Sequence, residues 1–213
     1  GKVSPDLEDD PSDHLKEYYS TLEEARAELM ALWFIQDPKL YYIGMLKDKR
    51  SADEVYRQWA RNDLLMLTRM ENRTTVEQDH ERARHLIVSY LREKGAIDMV
   101  KIKGKLYTKV NSISKFRDGV GELLREIMRI KAEGDYDAAR ELVQRYGIYF
   151  NLEWRDQMVQ RYKEVHRKRP IVKYAGYSMP ILIARPNKDG DITDVKVKYL
   201  QDFEKEQLYY SGK

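Results

Sequence analysis

The chain has 213 residues, 42% of them hydrophobic and 35% charged, with 39 basic against 36 acidic side chains and a formal net charge of +3. So small an excess, without clustering, gives no basic footprint for nucleic acid, and no apolar run approaches the ~20 residues of a membrane-spanning helix. The absence of cysteine rules out a disulfide or a thiolate metal site.

Residues 1–14 are polar and acidic, hold Pro5 and Pro11, and read as a loop without a signal peptide. A short helical stretch over 15–19 leads into a helix over 22–35. Thr21 and Glu24 have the capping-box spacing that would start it at Leu22. Leu22, Ala25, Leu29 and Leu32 recur at helical spacing and face a core. Asp37-Pro38 stops this helix and opens a short one. Ser51 and Glu54 repeat the capping-box spacing ahead of a helix over 52–70. Thr74 and Glu77 do so again for a helix running to Lys94, which Gly95 can end.

The texture then changes. Met99 to Lys103 alternates apolar and basic residues, Gly104-Lys105 turns, and Leu106 to Val110 alternates again, as a hairpin does. Helices follow over 112–133, 136–146 and 152–168, ended by Pro170. Tyr174 to Pro180 reads as extended and turn-rich. Ile181 to Ala184 and Val195 to Tyr199 flank Asn187-Lys188-Asp189-Gly190-Asp191 as two strands and a turn, and a short helix over 200–209 closes the chain. The fold class expected is mainly α: a multi-helix domain with one small β-hairpin and a C-terminal β-containing tail. The 16 tyrosines and 3 tryptophans supply the amphipathic surface of a protein that lines a cleft.

The helix over 22–35 holds the chemistry. Glu23, Glu24 and Glu28 crowd its first turns beside the apolar stripe, and Glu24 and Glu28, four apart, share a face. A Glu-Glu-x-Arg run is by default a solvated face. Carboxylates held out of water instead need a metal, a cation or a hydrogen bond. In the helix that follows Thr74, His80 and Arg84 are also four apart. The default for such a His is the surface. Glu77 and His80 have the Glu-x-x-His spacing of dimetal bundles, but that motif occurs once, so half of such a ligand set is missing. Arg161 to Arg169 is rich in cations, as suits a helix C-terminus.

The run Tyr18-Tyr19-Ser20-Thr21-Leu22-Glu23-Glu24-Ala25-Arg26-Ala27-Glu28 resembles the second zinc motif of the dipeptidyl peptidase III family, Glu-Glu-x-Arg-Ala-Glu/Asp. His80, Ala83 and Arg84 match its later His-x-x-Ala-Arg motif, and Ile171-Val172 after the basic cluster resembles a third feature. The resemblance implies Glu24 as a zinc ligand, and Glu23 and Glu28 as supports of ligand histidines. It makes His80 and Arg84 catalytic, with His80 stabilising the transition state. It places Arg167, Lys168 and Arg169, whose register stays open, at the substrate's carboxyl end.

The family's first motif, His-Glu-x-x-Gly-His, is absent; His14, His80, His85 and His166 lack that spacing. In the family, Ser-Gly-Lys follows it closely, and this chain opens on Gly1-Lys2. The expectation is therefore a piece of a zinc-dependent dipeptidyl peptidase, lying downstream of that motif. Residues 1–170 would be part of the zinc lobe, and 171–213 a tail returning to the other lobe. Zinc would bind the piece weakly or not at all. Its partners would be a peptide substrate, the N-terminal remainder of the enzyme, and another copy through the tail, but neither nucleic acid nor membrane. A cytoplasmic location is expected, with a periplasmic one left open. The alternative is a helical scaffold whose Glu cluster pairs internally with Arg26 and Arg84.

Overall fold

The computed structural model of the chain describes residues 3–168, 181–199 and 202–210. Two compact units divide the chain, 1–165 and 166–213. The architecture is mainly α with two small antiparallel hairpins among the described residues.

The first unit opens with α1 (Pro11–Leu15), inside the segment expected to be loop. Asp10 caps it, accepting from the Ser12 N–H at 2.8 Å, and Pro11 stands at its first position. Asp10-Pro11 is thus the same start signal as Asp37-Pro38. A 3-10 turn (Lys16–Tyr18) then leads into α2 (Tyr19–Phe34), with Tyr18 already in the right-handed helical region. The capping box expected at Thr21 is therefore not formed. Thr21 lies inside the helix, fully buried, and its hydroxyl donates to Asp79 instead.

Asp37 does cap its short helix, α3 (Lys39–Tyr42), accepting from the Lys39 N–H at 2.9 Å. The single helix expected over 52–70 is two, α4 (Lys49–Ala60) and α5 (Asn62–Leu67). Asp48, not Ser51, caps α4 by accepting from the Ser51 N–H at 2.8 Å. At the far end the turn tightens, with Arg61 N–H bonded three residues back to Gln58 O at 3.2 Å.

α6 (Asp79–Glu93) starts later than Thr74 because the segment before it is claimed by a neighbour. Thr75 bridges Tyr149, and Val76 N–H donates to Ile148 O at 2.9 Å. Gln78 caps α6 instead. Gly95, at φ +69°, ends it as expected, and the Ala96 N–H returns to Leu91 O. Strands β1 (Ile97–Ile102) and β2 (Lys105–Val110) pair around Lys103-Gly104, both at positive φ, which fits a type I′ turn. Then come α7 (Ile113–Glu133), α8 (Tyr136–Tyr146) and α9 (Leu152–Lys168), within a residue of the expected spans.

The core lies where α2 packs against α6 and α7, and α6 against α8. Leu22, Ala25, Leu29 and Leu32 of α2 meet Leu86, Ile87 and Leu91 of α6 and Val120, Leu123 and Ile127 of α7. Helix α7 comes close because it carries glycine at the contacts. A Cβ on Gly119 would stand 2.7 Å from Leu91 Cδ2, and one on Gly121 2.6 Å from the Trp33 ring. Tyr56 fastens α4 to the end of α2: its hydroxyl donates to Leu32 O at 2.9 Å and its ring stacks on Phe116 at 4.3 Å. A smaller apolar cluster, including Leu64, Leu67, Met70, Val76, Leu106 and Met158, ties α5, β2 and α9 together.

In the second unit, β3 (Ile181–Pro186) and β4 (Ile192–Lys198) form a hairpin. Asn187 builds its turn, its Oδ1 accepting from the Asp189 and Asp191 N–H groups at 2.9 Å each. Leu182, Ile183, Ile192, Val195 and Val197 are exposed. Helix α10 (Phe203–Tyr210) follows. Pro170 and the segment 174–180, read above as a helix stop and an extended stretch, lie outside the described residues.

Candidate functional site

Helices α2 and α6 are packed neighbours, so the two motif-bearing faces meet. The Glu24 Oε2 accepts from His80 Nδ1 at 2.7 Å, with side chains 35% and 56% exposed. This contact is direct. One turn along each helix, Arg84 Nε donates to Glu28 Oε1 at 2.7 Å. The other Glu28 oxygen accepts from the Trp59 indole N–H of α4 at 2.9 Å. Glu23 looks the other way. It accepts both Arg26 hydrogen bonds, at 3.0 and 3.1 Å, and the Lys131 ammonium of α7 at 2.8 Å. Burial works against its charge, but the bonds from Arg26 and Lys131 outweigh that and hold its carboxyl below the usual range.

All three carboxylates therefore have a nitrogen partner, but in different degree. Glu23 and Glu28 are each held by two donor side chains, which fix their orientation. Glu24 is held through one oxygen and has the most exposed side chain of the three. It is the carboxylate freest to take another partner. A zinc site needs three protein ligands and an open position. Among the described residues no group of three or more His, Cys, Asp or Glu side chains is arranged to hold a metal. The described residues do not by themselves fit a zinc ion.

The basic cluster cannot be joined to this geometry. Arg167 is exposed at the end of α9, of the Lys168 side chain nothing is described, and Arg169 lies outside the described residues.

The sequence reading passed over a second histidine pair. His85 is almost wholly buried, with Nδ1 2.7 Å from Asp63 Oδ1 and Nε2 3.0 Å from Tyr149 O. Carboxylate and carbonyl only accept, so both ring nitrogens must donate and His85 is the imidazolium. Burial pulls its pKa down, but the charge and hydrogen bond of Asp63 and the Tyr149 carbonyl outweigh it and hold it above the ordinary value. The one sequence signal was Asp63, a lone carboxylate directly before the apolar run Leu64 to Leu67. Trp59 and Lys131 gave none, because they reach the cluster from helices far along the chain.

The comparisons with known proteins agree with this geometry in fold. The family model described as Peptidase family M49 matches residues 6–172. Among solved structures, the chain is similar to DPP III from Caldithrix abyssi, with a TM-score of 0.59 and 24% identity. The match covers 76% of this chain and 29% of that chain, so the present chain spans under a third of that relative. A comparison with curated proteins finds no match.

Proposed function

Because the chain belongs to peptidase family M49, we propose that it forms part of a zinc-dependent dipeptidyl peptidase that removes dipeptides from peptide N-termini. One observation carries the reading: Glu24 and His80 meet at 2.7 Å on packed helices, with the carboxylate partly open to solvent. On this reading Glu24 is this chain's metal ligand, and the other ligands come from residues outside it. Bound zinc would acidify a water and polarise the scissile carbonyl. The chain's own groups do the rest. His80 swings from Glu24 to donate its ring N–H to the oxygen on which charge develops. Arg84 and Trp59 hold Glu28, and Arg26 and Lys131 hold Glu23, so that both can accept from ring N–H groups of ligand histidines. Arg167, Lys168 and Arg169 take the peptide's carboxyl end, and residues 171–213 belong to the other lobe.

The test is made in the full-length protein, on zinc content and dipeptide release. Glu24→Ala should lose the metal, and Glu23→Gln should keep it with affinity lowered by ~10–100-fold. His80→Phe should keep zinc and lose ~10²–10³ in turnover. A His80→Phe protein without zinc would make His80 a ligand. Full turnover in Glu24→Ala would remove Glu24 as the metal ligand, and no dipeptide release by the full-length wild type would end the peptidase reading.

A second reading has an observation in its favour. Glu23, Glu24 and Glu28 all have partners within the chain, as a helical scaffold requires. A scaffold would bind no zinc in full-length form, and Glu24→Ala would change neither metal content nor any peptide turnover.

A further inference from the structure

We propose that Thr21, Asp79 and Arg82 are positioning residues: they lock the register of α2 against α6 and so bring Glu24 and His80 together. The proposal deepens the reading of Glu24 and His80 as reacting groups and rests on it for its catalytic consequence.

Thr21 is fully buried inside α2. A threonine in a helix interior ordinarily turns its hydroxyl back to the carbonyl one turn earlier. Here the Thr21 hydroxyl crosses to the other helix and donates to Asp79 Oδ1 at 2.6 Å. Arg82 closes the triangle, its Nη1 donating to Asp79 Oδ1 at 3.2 Å and to Thr21 Oγ1 at 3.3 Å. The same guanidinium reaches back over the start of α6, from Nε to Val76 O at 3.2 Å and from Nη2 to Glu77 O at 2.9 Å. Val76 is itself pinned to Ile148. The clamp therefore joins α2, the first turn of α6 and the segment leading into it.

Its place in the sequence gives it leverage on the site. Thr21 stands three residues before Glu24, and Asp79 directly precedes His80. Apart from His80–Glu24 and Arg84–Glu28, whose longer, partly exposed side chains can follow a shift, the remaining α2–α6 contacts are apolar and tolerate sliding better than directional bonds do. A slip of even a fraction of the ~5.4 Å helical turn would part a 2.7 Å contact. Helix capping cannot account for Thr21, because α2 starts before it at Tyr19.

The direct test reads geometry rather than activity. In the ¹⁵N-labelled chain of 213 residues, the ring nitrogens of the 4 histidines are followed by long-range ¹H–¹⁵N NMR. His80 is assigned by its loss in His80→Gln, and Glu24→Gln supplies the signature of the broken contact. Thr21→Val keeps the branched shape and removes the hydroxyl. It should move the His80 Nδ1 signal to that signature, and Thr21→Ser should restore it. The buried His85 signals should stay put throughout, which marks an intact fold. Should Thr21→Val not fold, Asp79→Ala breaks the clamp from its more exposed side and should give the same His80 response. A wild-type His80 signal in whichever of these variants folds, with His85 unmoved, overturns the clamp.

In the full-length enzyme, Thr21→Val should lower kcat by about tenfold to a hundredfold with KM nearly unchanged, and Thr21→Ser should recover it. Unchanged kcat there, while His80→Phe is crippled, refutes positioning and leaves the peptidase reading standing. Unchanged kcat in His80→Phe refutes the role of His80 in the reaction, and the NMR result still decides the clamp.

Discussion

Helix α6 carries two histidine–carboxylate pairs of the same length, and they are physically opposite. His80–Glu24 and His85–Asp63 both close at 2.7 Å, five residues apart on one helix. The first pair is 56% and 35% exposed, the second 3% and 1%. Near water a broken pair is rehydrated at little cost, so His80 can exchange one partner for another. In the core there is no water to take over, and parting His85 from Asp63 strands a charge. A short contact therefore does not identify a site. The two pairs differ in whether the group can leave its partner, and only the exposed pair can.

The sharpest way to break this contrast is to replace each histidine in turn. His85→Gln leaves Asp63 buried with a weaker partner and should cost ~3–5 kcal/mol in urea denaturation. His80→Gln should cost no more than ~1 kcal/mol. Equal losses would refute the distinction. Replacing both Asp63 and His85 by leucine should recover most of what either single change loses, because no charge is then left in the core. A double variant worse than both singles would mean the pair stabilises beyond its own desolvation.

Next in size is the pH dependence. The folded pKa of His85 lies above its unfolded value of ~6.5, so the folded chain holds one more proton between the two. Its contribution is complete below pH ~6.5 and is lost as pH rises through the folded pKa, by up to ~1.4 kcal/mol per pH unit. The stability gap between wild type and His85→Gln should therefore shrink on going from pH 6 to pH 9. A gap that widens would mean that the buried ring is neutral.

The smallest effect expected is that of salt. At 1 M ionic strength the screening length falls to ~3 Å. The small difference between wild type and His80→Gln should disappear there, while the His85→Gln difference should persist. Salt sensitivity at both positions would show that solvent reaches the buried pair as well.

Local chemistry was legible to the degree that it depends on neighbours in sequence. The apolar stripe Leu22, Ala25, Leu29, Leu32 is buried as its spacing requires, and the hairpin forms where alternation placed it, although Lys103-Gly104 rather than Gly104-Lys105 makes its turn. Gly95 and Gly134 both end helices at positive φ. The same short-range logic failed where a distant group outbid the local one. Thr21 reads as a cap and is a buried crosslink, because Asp79 offers its hydroxyl a better acceptor than the helix start does. Thr74 reads as a cap and gives way to Gln78, because residues 75 and 76 pair with the segment before α9.

The sequence by itself determined the mainly helical class, the helix faces and, through two motifs, the family to which the chain belongs. Tertiary structure alone decided which nitrogen meets which carboxylate. Glu23 is held by Lys131, Glu28 by Trp59 and Arg84, and Glu24 by His80. The physical reason is the range of the forces. Periodicity and capping act within a few residues, whereas a buried or half-buried carboxylate takes whichever donor packing brings within 3 Å, however far along the chain that donor lies.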